Sequence, residues 1–369
     1  MRREAGLMWL VILLVAVLAA AAGAFYMTVC VSRFSAVATL SRGKRWLKYL
    51  ISFAIISALF AVIALSMSVV NATVIFLNEV VFFAFFGILF RVIAHIRGKE
   101  FTVNWQGWTA LAVSIVYFVI GYYLANHVWQ TDYTLKTKKD VSLKIAVFSD
   151  SHISTTFDGE GFAKHIKTIE KQNPDIVLIP GDYVDDWTKK EDMLTSCKAL
   201  GEMKTKYGVF FSYGNHDEGF FNKRDFTAKE LSEALINNGV HILSDSWELL
   251  DNSFYVVGRK DSSISEREDI KTLLKDLDSS KYIIVLDHEP NDYENEAKSS
   301  ADLVVSGHTH GGQMLPVNRI GEWFNINDKT YGYENRNGTD FIVTSGISDW
   351  DIQFKTGTKS EYVIINLNK

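Results

Sequence analysis

Five times in its last two-thirds, the chain runs from a short apolar stretch of strand character into a compact polar cluster. The clusters read Asp150-Ser151-His152, Gly181-Asp182-Tyr183-Val184-Asp185, Gly214-Asn215-His216-Asp217, Asp287-His288-Glu289 and Gly307-His308-Thr309-His310. Between and around them lie segments of helical character at about 161–171, 189–204, 227–238, 266–276 and 292–298. Strands and helices that alternate in this way bury their apolar faces in a largely parallel sheet covered by helices. Open sheets of that kind assemble their sites where the strands end on the carboxyl side. Every cluster falls at such an end. The fold class expected for this part is therefore α/β, with a more antiparallel region from the strand-like tail at 341–344 and 361–366.

The first third has a different composition. Residues 1–132 hold ten Lys/Arg against four Asp/Glu, a formal charge of +6. Residues 133–369 hold 28 against 39, a charge of −11. A domain so acidic is a poor partner for nucleic acid, whose binding relies on neutralised phosphates, and none is expected. Cys30 and Cys197 lie far apart and imply no disulfide framework.

No charge occurs from Ala5 to Ser32, or from Tyr49 to Asn78. A helix crosses a bilayer in roughly 20 apolar residues. The expectation is about four transmembrane helices in residues 1–132, followed by a catalytic domain at 133–369. The spans are read at 7–31, at 49–69 and 73–95 as a hairpin turning near Asn71, and at 107–128. Trp105, Trp108, Tyr122, Tyr123 and Trp129 form the aromatic belts of the last span. Arg2-Arg3 and the small residues at 19–24 also fit a cleaved signal segment, but the apolar length favours a retained helix. Arg33, Arg42, Lys44, Arg45, Lys48, Arg91, Arg97 and Lys99 fall in two connections that the positive-inside rule places in the cytoplasm. Opposing them are Arg2, Arg3, Lys136, Lys138, Lys139 and Lys144. That balance puts a multi-pass protein in the cell membrane with its catalytic domain outside the cytoplasm. Lys136–Lys139 reads as a juxtamembrane run facing lipid headgroups. Glu79 is an ionisable residue within a span, where an interfacial position explains it as well as a site does, and no role is assigned.

Carboxylates, imidazoles and one amide suit Mn, Fe, Zn or similar ions, and suit neither a Cys-type zinc site nor an all-oxygen calcium site. A carboxylate can bridge two metals about 3.5–4 Å apart, the arrangement that clamps attacking and leaving oxygens in phosphoryl chemistry. In this order, D-x-H, G-D-x-x-D, G-N-H-D, H and G-H-x-H resemble the calcineurin-like metallophosphoesterase superfamily. His310-Gly311-Gly312-Gln313, Ser345-Gly346, Phe354-Lys355 and Glu361–Ile365 resemble its bacterial membrane-associated branch.

The resemblance covers about residues 141–369 and implies an α/β/β/α sandwich, here preceded by the helical membrane region. It implies one metal held by Asp150, His152, Asp182 and His310, and a second held by Asp182, Asn215, His288 and His308, with Asp182 bridging. A water activated by both would attack phosphorus in line. His216 resembles the histidine that hydrogen-bonds the phosphate and serves the leaving oxygen, and Asp185 the carboxylate that orients it. Asp186 follows the second Asp where the protein-phosphatase branch has arginine, which argues against a Ser/Thr protein phosphatase. Lys355 stands where related bacterial chains carry arginine, as a candidate phosphate contact.

The function expected is thus a membrane-anchored binuclear-metal phosphoesterase with two divalent ions, manganese, iron or zinc. It would hydrolyse phosphoester or diphosphate bonds of lipid-linked or envelope substrates, with membrane lipids as partners. The alternatives are a phosphodiesterase of soluble or cyclic nucleotides and a non-catalytic membrane sensor. Glu289 and Asp217 read as supporting or turn residues. Trp187, Phe220, Phe221 and Trp350 lie near motif loops, where packing is the simpler reading and an apolar substrate rim the alternative. His95, His127, His165 and His241 read as structural.

Overall fold

The structure, a computed structural model, describes residues 18–219, 223–262 and 266–369. The chain divides at Ile120/Gly121 into two compact units.

Among the described residues the first unit is helical, with α1 (Leu18–Val31), α2 (Ser35–Leu40), α3 (Arg45–Ser66), α4 (Val69–Arg97) and most of α5 (Trp105–Asn126). Helices α3, α4 and α5 are each long and apolar enough to cross a membrane. They expose large apolar side chains, including Leu65, Ile88 and Val119. The span expected at 7–31 lies partly outside the described residues. The hairpin turn falls at Met67-Ser68 and not near Asn71, because Ser68 caps α4. Its hydroxyl accepts the Asn71 backbone N–H at 3.0 Å and the Asn71 amide at 2.8 Å, which draws Asn71 into the first turn. Gly98 ends α4 in the left-handed conformation, at φ 63°.

The second unit holds two six-stranded sheets. The first runs in the order β1 (Trp129–Lys136), β12 (Glu361–Asn368), β2 (Leu143–Val147), β3 (Ile176–Pro180), β4 (Val209–Ser212) and β5 (Val240–Ile242). The second runs β10 (Gly332–Arg336), β11 (Thr339–Val343), β9 (Leu303–Ser306), β8 (Tyr282–Leu286), β7 (Phe254–Gly258) and β6 (Ser246–Leu250). Strands β2 to β5 are mutually parallel, as are β7, β8, β9 and β11.

The two-residue period of a strand sorts the side chains into layers. Ile145, Ile176 and Leu178 meet Val256, Ile284 and Val305 between the sheets. Their neighbours Ala146, Val177 and Ile179 face helices α6 (Gly159–Glu170), α7 (Lys190–Gly201) and α8 (Ala228–Asn237). On the other side Ile283, Val285 and Val304 pack with α9 (Ile270–Leu274) and α10 (Tyr293–Glu296). The result is an α/β/β/α sandwich. Continuous apolar runs such as Tyr282–Leu286 are what a strand covered on both faces requires.

The tail is antiparallel only in part. Strand β12 runs against β2, but β11 runs parallel to β9. Asn337-Gly338, both at positive φ, make the two-residue turn of the β10–β11 hairpin. Strand β1 follows the expected span and crosses the expected boundary at 132/133, ending at the first lysine of the expected juxtamembrane run. Its Trp-Gln-Thr-Asp-Tyr-Thr-Leu-Lys sequence pairs in parallel along β12. Lys139 is part of this fold, with Nζ 2.6 Å from Asp302 and 2.9 Å from the Lys281 carbonyl.

Candidate metal centre

Both sheets deliver their strand ends to one place. Asp150 and His152 follow β2, Asp182 follows β3, Asn215 follows β4, His288 follows β8, and His308 and His310 follow β9. The loops approach so closely that side chains have no room at two positions. A Cβ on Gly181 (φ 82°) would lie 2.6 Å from Gly214 N and 2.7 Å from His288 Nδ1. One on Gly307 would lie 2.1 Å from Ser149 Oγ and 2.3 Å from Asp150 Oδ2. Five of the seven expected ligands, Asp150, His152, Asp182, His308 and His310, adopt positive φ. Non-glycine residues take that conformation at a cost, and sites are where it collects.

All seven expected ligands come together. Asp150 Oδ1 is 3.6 Å from His310 Nε2, and the His152 and His310 rings stack at 5.1 Å. His152 Nε2 is 3.8 Å from Asp182 Oδ2, which is 3.1 Å from His288 Nε2. Asn215 Oδ1 lies 3.2 Å from His288 Nε2 and 3.0 Å from His308 Nδ1. Asp182 thus stands between two groups of donors, Asp150/His152/His310 and His288/His308/Asn215.

His288 shows why this set fits a cation. Its Nδ1 is 2.8 Å from the Pro180 carbonyl, which can only accept, so Nδ1 carries the proton. In the neutral ring, Nε2 then turns a lone pair toward Asp182 Oδ2 and Asn215 Oδ1, two further electron-rich atoms. A backbone carbonyl fixing the tautomer of an imidazole is the usual outer support of a metal ligand. Among the described residues, buried His152 Nε2 and His310 Nδ1 have no hydrogen-bond partner. The donor set therefore fits two divalent ions. In the metal-free protein, burial raises the Asp182 carboxyl, but the His288 and His152 imidazoles outweigh it and hold it well below its usual range. Burial lowers His288, and Asp182 overrides it to hold the imidazole well above its usual value. Burial and the neighbouring His152 push His310 well below.

His216 sits at the edge of this cluster, its backbone N–H donating to Asp182 Oδ1 at 2.9 Å. Asp185 lies within 4.8 Å of the facing nitrogens of both His152 and His216. Its Oδ2 is 3.3 Å from His152 Nδ1, while Asp186 Oδ2 is 4.0 Å from His216 Nδ1. Asp185 thus lies beside both imidazoles, and Asp186 adds a second carboxylate near His216.

Lys355 differs from its expected use. It is wholly buried, with Nζ donating to the Ser345 and Ser348 carbonyls at 2.7 and 3.0 Å and lying 3.1 Å from Asp349. An ammonium surrounded by acceptors fastens the loop at 345–360 and does not reach out to phosphate. Gln313 supports the same loop through Asp349, Ile352 and Phe354. The loop carries Trp350, whose ring lies 5.8 Å from that of His216. Trp187 is exposed, with Lys223 Nζ 4.2 Å above its ring. Phe220 and Phe221 lie outside the described residues. His241 stacks on Phe210 and lies 2.9 Å from Glu248.

Two supports hold the motif loops from behind, and the first, Asp217, has the supporting role expected of it. Asp217 accepts the backbone N–H groups of Asp182, Tyr183, Val184 and Gly214 at 2.8–3.1 Å, tying two motif loops together. Behind His288, Asp287 pairs with buried Arg259 at 2.7 Å and with Arg267 at 2.8 Å. Arg259 also reaches Asp292 and Glu296. The position of Asp287 inside a motif was the available clue to that network, and the arginines lie 20 and 28 residues away.

Residues 143–312 match the family model of the calcineurin-like phosphoesterases. An uncharacterized metallophosphoesterase of Aquifex aeolicus is 32% identical over 196 residues, covering 50% of this chain and 70% of the relative. One from Campylobacter jejuni is 30% identical over 241 residues, 62% of this chain and 60% of the relative. A transmembrane protein with metallophosphoesterase domain from Danio rerio is 27% identical over 240 residues, 62% of this chain and 53% of the relative. The chain belongs to the calcineurin-like phosphoesterase family, a family of metal-dependent phosphoester hydrolases. It spans about 60% of the length of the Campylobacter relative.

Proposed function

We propose that the chain is a membrane-anchored hydrolase of phosphoester or diphosphate bonds that works with two divalent metal ions. The observation that carries this is the convergence of seven donor side chains from five strand ends around Asp182. Asp150, His152, Asp182 and His310 would hold one ion, and Asp182, Asn215, His288 and His308 the other. Such a pair of ions, when bound, lowers the pKa of a shared water and stabilises the attacking and leaving oxygens of an in-line displacement. The residues supply the rest. The Pro180 carbonyl fixes the His288 ring, and Asp185 lies 3.3 Å from His152 Nδ1. His216, at the edge of the cluster, would hydrogen-bond a phosphoryl oxygen and pass a proton to the leaving oxygen.

Helices α3, α4 and α5 support anchoring in a membrane, as does the relative in Danio rerio that is called a transmembrane protein. A site tethered to a bilayer meets phosphoesters of that bilayer at high effective concentration. The substrate proposed is accordingly a lipid-linked phosphoester or an envelope-derived diphosphate, with the catalytic unit outside the cytoplasm.

The test uses the purified full-length protein in detergent with Mn²⁺, assayed on p-nitrophenyl phosphate and bis-p-nitrophenyl phosphate. Hydrolysis is expected, with the ratio of the two rates separating monoesterase from diesterase. Asp182→Ala should lower it by more than about 100-fold, a loss that even outer partners of metal ligands can cause. Inactivity with every divalent ion, or activity that survives Asp182→Ala, refutes the proposal.

A further inference from the structure

In the catalytic unit, the segment after the last metal motif holds a row of large apolar side chains in the open. Leu315, Val317, Ile320, Trp323, Phe324 and Ile326 are between 47 and 70% exposed. Single exposed apolar residues are ordinary, but six within twelve positions mark an interaction surface. The backbone beneath them is fixed. The Leu315 N–H donates to Thr356 Oγ1 at 3.0 Å, and the Ile326 N–H to the Gly321 carbonyl at 2.8 Å. The Thr330 N–H donates to Glu322 at 2.8 Å, and the Asp328 N–H to the Pro290 carbonyl at 2.8 Å. Met314, at the root of the segment, is buried. The polar groups of this segment are thus bonded inward while its apolar side chains point away from the fold.

Contacts within the same unit locate the segment. Its root at Gln313–Leu315 is bonded to Thr356. The neighbouring Lys355 N–H donates to the carbonyl of Gly121, in the last turns of α5, at 3.0 Å. Around that helix end, Tyr122 packs on Phe354, Tyr123 stacks on His127, and Lys359 lies over the Trp129 ring. Tyr and Trp with a nearby cation make up the usual chemistry of the membrane–water boundary. Exposed Trp323 and Phe324 add aromatic side chains of the same kind to the segment rooted beside that helix end.

We infer that residues 315–326 form a wedge that enters the headgroup region of the bilayer beside the point where α5 leaves it. The inference rests on the reading that α3, α4 and α5 cross the membrane. The occupant of the surface is lipid, because the root of the apolar row is bonded to Thr356, beside the residue that bonds the end of an apolar helix. The segment begins five residues after His310, so a wedge there holds the metal centre at the lipid surface and favours phosphoesters embedded in it.

The test reads depth directly. Full-length protein carrying Trp323→Cys, Phe324→Cys, Leu315→Cys or Ile320→Cys is labelled with a nitroxide and reconstituted into phosphatidylcholine/phosphatidylglycerol vesicles. Buried Cys30 and Cys197 stay in place, and the labelled parent gives the background. Collision rates with oxygen and with a water-soluble nickel chelate are compared. Val116→Cys on α5 serves as the bilayer control. Ile236→Cys, on α8 beside the far edge strand β5, serves as the water control. The wedge predicts oxygen-favoured collisions at the segment positions, shifted toward Val116 and away from Ile236. If Val116 favours oxygen while the segment positions favour nickel or show dipolar coupling to a second copy, the wedge is refuted and the membrane reading stands. If Val116 also favours nickel, both fall. Four positions keep the test decisive if one variant misfolds.

Discussion

At Nε2 of His288, an imidazole nitrogen, a carboxylate oxygen and an amide oxygen meet within 3.2 Å. That local crowding of electron-rich atoms is the chemical core of the site. The residue types were legible in the sequence, because His, Asp and Asn at strand ends point to hard and borderline metals. Their backbone conformations were not, since five positive φ values on non-glycine residues arise from loops that clamp one another. Nor was the fate of Lys355. Its place in a motif said nothing of the carbonyls that the loop turns inward upon it. Lys355→Met strands Asp349, which is fully buried, without its ammonium partner. Breaking a buried pair in this way costs about 3–5 kcal/mol. The account predicts a melting temperature lowered by several degrees. A phosphate-contact role predicts instead a raised KM with the melting temperature unchanged, and thermal unfolding beside steady-state kinetics separates the two.

At the scale of elements, periodicity carried most of the information. The apolar runs at Ile176–Pro180, Tyr282–Leu286 and Leu303–Ser306 can be strands only if both faces are covered, which made a parallel sheet under helices legible, while the second sheet and second helical layer came from the resemblance of the motifs. Strand β1 escaped because it follows an apolar helix within three residues and is itself mostly polar, its ladder supplied by β12 from the other end of the chain. The turn at Met67-Ser68 escaped because a serine cap outweighed an asparagine turn signal three residues on. The same reading of elements sets the sidedness. The orientation proposed places the eight basic residues at the two ends of the α3–α4 hairpin in the cytoplasm, and Lys139, counted on the opposing side, is engaged by Asp302. A reporter that works only outside the cytoplasm should be active when fused after Lys369. Activity of a cytoplasm-only reporter at that position contradicts the proposed orientation.

For the whole molecule, an acidic α/β/β/α sandwich gathers strand ends from both sheets into one metal-binding cluster, on a chain that also carries apolar helices of membrane-crossing length. The long-range part of that assembly is what a linear sequence hides, as in Arg259 standing behind His288 through Asp287. The central claim is that these side chains hold two ions which share Asp182. Its most direct test strips the full-length protein with a chelator, titrates it with Mn²⁺ by calorimetry and counts bound metal by mass spectrometry. The account predicts two ions per chain, with Asp150→Ala and Asn215→Ala each retaining no more than one. A single ion in the parent protein, or two ions still bound by Asp182→Ala, would contradict it.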